Sequence, residues 1–83
     1  MEKQEIITFV EGVLANARSV KANSHQYVGN ITPVLRSYFD RAYGAVEFFG
    51  RLVYKTRPED EVEIYARWND EWRPEFETLV YDL

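Results

Sequence analysis

Few side chains in this 83-residue chain could carry chemistry. His25 is the single histidine and stands beside Ser24, so a serine–histidine pair is the one nucleophilic arrangement available. Neighbours in sequence do not supply that geometry, which needs a base within hydrogen-bond reach and a third group to orient it. His25 therefore reads as a polar loop residue. Cysteine is absent, which removes thiolate catalysis, a disulfide framework and zinc-ribbon or iron–sulfur sites. Gly12, Gly29, Gly44 and Gly50 are isolated from one another, so no loop cradles a phosphate, and neither a nucleophile elbow nor a metalloprotease helix motif occurs.

Carboxylates are more plentiful. Glu59, Asp60, Glu61 and Glu63 form one group, and Asp70, Glu71 and Glu75 another, yet neither has the alternating ligands and sharp glycine turn of a calcium loop. They read as helix-capping and solvated charge. Asp40 and Glu47 lie seven residues apart with nothing to desolvate them, and each stands four residues from an arginine, Arg36 and Arg51, the spacing of surface ion pairs on a helix. No catalytic residue, cofactor or metal site is expected, and the chain does not read as an enzyme. Arg36, Arg41, Arg51, Lys55 and Arg57 run along one segment among Tyr43 and Tyr54, but a net charge of −4 argues against a nucleic-acid footprint.

Charge is unevenly placed. Residues 1–57 hold eight Lys/Arg and five Asp/Glu, a balance of +3, whereas residues 58–83 hold two and nine, a balance of −7. The two parts should attract, with the acidic segment packed beside the basic end of the one before it. Hydrophobic residues make up 46% of the chain and aromatics 16%, enough apolar area to fold as one domain over residues 1–83. No run of 18 apolar residues occurs and Met1 to Glu5 carry three charges before any apolar run, so neither a membrane span nor a signal peptide is expected and a cytoplasmic location fits.

The elements that must position these residues follow from periodicity. Ile6, Phe9, Val10, Val13, Leu14, Ala17 and Val20 share one side of a helix over about 3–22. Residues 23–30 have no period and form the one real loop. Thr32 and Pro33, in place of a glycosylation signal at Asn30, start a helix over 33–56 whose stripe includes Leu35, Phe39, Ala42, Ala45, Phe49 and Leu52. Within it Gly44 and Gly50 either weaken the helix or permit close contact. Pro58, backed by three carboxylates, starts a third helix over 58–72, and Pro74 a fourth over 74–82 that gathers Phe76, Leu79, Val80 and Leu83. The expected fold is all-α, a compact bundle of about four helices. Strict alternation from Glu61 to Trp68 leaves an α+β alternative, two N-terminal helices followed by a C-terminal antiparallel hairpin or meander.

Thirteen aromatic residues are more than so small a domain readily buries. Tyr43, Phe48, Tyr54, Trp68 and Trp72 are the interface candidates, since Tyr and Trp favour interface centres. The function expected is a non-enzymatic protein–protein interaction module, a small acidic regulator or inhibitor acting as a homo-oligomer or on another protein. The alternatives are a bundle holding an apolar small ligand and a nucleic-acid-associated protein using the basic second helix.

Overall fold

A computed structural model describes residues 1–26 and 29–81 of the chain; the loop residues Tyr27 and Val28 and the terminal Asp82 and Leu83 lie outside the described residues. Those described form three helices and no strand, so the all-α expectation holds while the fourth helix and the C-terminal hairpin do not. Helix α1 is Lys3–Ala22 and α2 is Thr32–Val53. The third, α3, runs over 58–81 without a break: it begins as Pro58–Arg67, passes through a π turn at Trp68–Trp72 and resumes as Arg73–Tyr81. A short 3-10 turn, Ser24–Gln26, follows α1.

Pro74 was expected to start a helix and instead sits inside one. A proline in a regular α-helix lacks the amide that would bond four residues back, and its ring strikes that residue's carbonyl. The π turn widens the backbone just ahead of it, with the Arg73 amide bonded five residues back to the Trp68 carbonyl. The same turn corrects a phase error. The buried residues of α3 are Ile64, Trp68, Trp72, Phe76 and Val80, a spacing of four, which in a 3.6-residue helix drifts by about 40° at each step. The extra residue in the π turn rotates the chain back, so all five reach one core.

That core is a single cluster to which α1 contributes Ile6, Val10, Leu14 and Ala17 and α2 contributes Leu35, Ala42, Val46, Phe49 and Val53. Three cross-helix contacts give the direction of α3 relative to α1: Lys3 to Glu63 at 3.2 Å, Arg67 to Glu11 at 3.1 Å, and Arg18 to Glu75 through both its Nε and its Nη2, the latter at 2.7 Å. The partners rise together along both helices, so α1 and α3 are parallel and α2 returns between them. The attraction foreseen between the halves of the chain is thus made chiefly with α1. In the tight turn after Val53, Arg57 meets Asp60 of the acidic part at 3.7 Å and also Glu2 of α1's N-terminal end at 3.4 Å.

Helix ends also differ from expectation. α2 stops at Val53, three residues early, because Thr56 and Arg57 turn their amides back onto the Val53 carbonyl. At its start Thr32 is not the cap; the Asn30 side chain accepts the Thr32 amide at 2.9 Å.

The two glycines of α2 part company. A Cβ on Gly44 would meet nothing within 4 Å, whereas one on Gly50 would lie 2.7 Å from Cε2 and 3.0 Å from the hydroxyl of Tyr65. Gly50 is the close-contact position and Gly44 is open. Gly44→Ala should therefore stabilise the protein by up to about 1 kcal/mol, while Gly50→Ala should cost about 1–3 kcal/mol by displacing the Tyr65 ring; urea unfolding of the two variants checks the opposite signs.

Candidate functional site

The five interface candidates do not share a surface. Trp68 and Trp72 are only 2% and 3% exposed and belong to the core, so they are not available to a partner. Trp68 lies under the α2–α3 seam, edge-on to Phe39 at 5.6 Å and tilted against Phe76 at 6.0 Å. Trp72 is covered by the Arg67 guanidinium, 4.9 Å from its ring centre, and Arg67 is held there by Glu11 and Glu71. A helix with tryptophans four apart puts both on one face, and in α3 that face is the buried one.

Tyr43 and Tyr54 are exposed on the far edge of α2. Tyr43 leans on Trp68 with ring centres 5.5 Å apart and roofs a shallow cleft rimmed by Arg36 and Arg73. Both arginines already have acids beside them: Arg36 has Asp40 at 3.2 Å as well as the Tyr81 hydroxyl, and Arg73 has Glu77 at 3.3 Å. Arg36 and Asp40 thus form the ion pair expected from their spacing. Glu47 does something else: its carboxylate accepts from the Tyr65 hydroxyl at 3.0 Å across the α2–α3 seam and also holds Tyr43, whose pKa is raised chiefly by that bond. Desolvation first, then the bond to Glu47 and its negative charge, push Tyr65 up to about 12.

Phe48 stands on a different surface, and there the structure adds residues that periodicity had assigned to the core. Phe9 of α1 is 45% exposed, and Phe48 and Leu52 of α2 are 54% and 48% exposed. Phe9, Ala45 and Phe48 line an outer groove between α1 and α2, and Leu52 stands one turn beyond Phe48 on α2. The groove has two hollows divided by Phe9. One is lined by Glu5, Ile6, Ala45 and Phe48, the other by Gly12, Ala15, Asn16 and Arg41. Phe9 and Leu52 fall at the margin of apolar arcs wider than two neighbouring helices can cover, and the arc width was the one signal of their exposure.

Among the described residues no polar or charged side chain is buried. His25 is exposed in the turn after α1. The acidic groups are split up by cations, Asp60 and Glu63 by Arg57 and Lys3, Glu71 and Glu75 by Arg67 and Arg18, and among the described residues no three potential ligands come together to hold a metal ion. The hollows described are open grooves on the surface rather than enclosed cavities. Among the described residues no helix is long and apolar enough to cross a membrane. No family model, characterised protein or solved structure matches the chain.

Two measurements check this layout. Trp72→Ala should lower stability by about 3–5 kcal/mol, the cost of a large cavity in a core, rather than act as a silent surface change. The raised Tyr65 pKa favours the protonated hydroxyl in the folded state, so its stabilising effect is complete below the ordinary tyrosine value near 10 and is lost as pH rises towards 12. Tyr65→Phe should flatten the fall in stability over that interval in urea titrations at stepped pH.

Proposed function

We propose that this protein is a non-enzymatic interaction module, a small acidic regulator or inhibitor that works by presenting the outer face of α1 and α2 to another polypeptide. The observation that carries this reading is the apolar groove lined by Phe9 and Phe48, with Leu52 one turn beyond Phe48 on α2, three large side chains each about half exposed. Single exposed apolar residues are ordinary on a monomer, but a contiguous group with small neighbours such as Ala45 and Gly12 is the form of a surface built to be covered. The groove offers the place that a further helix would take beside α1 and α2.

The other readings have less support. A nucleic-acid partner would need a larger cluster of cations than a chain of net charge −4 offers, and two of the candidates, Arg36 on α2 and Arg57 in the turn after it, are engaged by carboxylates. A buried apolar ligand would need an enclosed space, and the aromatic interior is occupied by its own rings. A cysteine-free chain with no apolar spanning helix among the described residues is suited to the cytoplasm.

Photo-cross-linking tests the reading. A benzophenone side chain at position 48 in the native cell should capture a polypeptide, and the same group at Val62, exposed on α3 away from the groove, should not. Equal capture, or none, from the two positions would defeat the proposal.

A further inference from the structure

We infer that the occupant of the α1–α2 groove is a second copy of this chain, bound face to face about a two-fold axis that passes near Phe9. This rests on the interaction reading above and adds the partner and its register. The first ground is charge placement. Glu5 stands in the hollow on one side of Phe9 and Arg41 in the hollow on the other. The Arg41 guanidinium has no ion pair among the described residues; its contact is the face of Tyr38, 5.3 Å from the ring centre. Glu5 uses Oε1 to accept the Glu2 amide at 3.0 Å, and a carboxylate has a second oxygen to offer.

An acid at one end of a groove and a base at the other make the face complementary to itself. A two-fold axis at its middle sets α1 antiparallel to α1 of the second copy, so that each Glu5 approaches Arg41 of the other copy, and both pairs form at once. An unrelated helix would have to bring its own acid and base in the matching order. The shape is self-complementary in the same sense: Phe48 projects at one end, and at the other Gly12 leaves open space in which an added Cβ would meet nothing within 4 Å.

The second ground is area. The chain measures 46 × 21 × 16 Å, so a face along its whole length is at most about 970 Å² in outline, ends included, the same order as the roughly 800 Å² that a stable interface takes from each partner. An isologous contact also closes on itself, leaving no groove open for a third copy.

Sedimentation velocity on the whole chain, from about 1 to about 300 µM where homodimers of ordinary strength assemble, tests the inference. The wild type should show twice the chain mass. Arg41→Glu and Glu5→Lys should each weaken the dimer by about tenfold or more, by setting like charges opposite one another. An equimolar mixture of the two variants should recover the dimer, because the lysine introduced in one chain then faces the glutamate introduced in the other, while the native Arg41 and Glu5 that remain pair as before. Helical circular dichroism of each variant establishes that the chains remain folded, and Arg41, which caps no helix, carries the decisive comparison if Glu5→Lys loosens α1. A wild type that stays monomeric throughout, a dimer indifferent to Arg41→Glu, or a mixture that fails to recover would overturn the inference. If position 48 cross-links to a different polypeptide while the chain sediments as a monomer, the interaction reading survives and the second copy is excluded; if it cross-links to nothing, both fall.

Discussion

Five side chains at every fourth position of α3, Ile64, Trp68, Trp72, Phe76 and Val80, have to reach one core. A regular α-helix cannot do this, since the drift of about 40° per step would carry Val80 well round the helix from Ile64. The π turn at Trp68–Trp72 resolves the conflict, and it does so just ahead of Pro74, which also needs a wider turn. Both tryptophans lie within it. The position of Trp68 against Phe39 and Phe76, the roof that Arg67 makes over Trp72 and the parallel run of α3 beside α1 all follow from the helix continuing rather than ending at Arg73.

Polar contacts then set the register within this apolar frame. The pairs from Lys3, Glu11 and Arg18 to Glu63, Arg67 and Glu75 line the α1–α3 seam at successive heights. Exposed pairs of this kind are each worth little, but they are repelled by any slip that sets like charges opposite, which favours a single alignment. The Arg18 contact holds the Glu75 carboxyl below its usual range, against the opposing effect of partial burial. On the α2–α3 seam Gly50 lets the Tyr65 ring lie against the helix, and Glu47 fixes its hydroxyl. Aromatic area therefore goes mainly into two seams, and the third, between α1 and α2, is left with apolar residues facing outward.

Much of the fold was legible from residue order. The bounds of α1, the proline starts of α2 and α3, the core members Val10, Leu14, Ala42, Phe49, Ile64 and Phe76, and the attraction between the basic and acidic parts follow from periodicity, proline chemistry and charge. Pro74 was misleading because proline is the same residue whether it opens a helix or follows a π turn. The difference lies in the Arg73 to Trp68 bond, which depends on what the tryptophans pack against.

The candidate surface was less legible, for a related reason. Sequence determined that none of the familiar catalytic motifs is spelled out in the chain and that thirteen of 83 residues are aromatic. It could not apportion them, because an apolar arc says which residues share a side and not how much of that side a neighbour covers. Only the tertiary structure decided that Trp68 and Trp72 are covered, that Phe9 and Leu52 join Phe48 outside, and that Glu5 and Arg41, distant in sequence, stand at opposite ends of one groove. Burial is a property of pairs of helices, fixed once α3 takes one side of the α1–α2 layer and leaves the other to solvent.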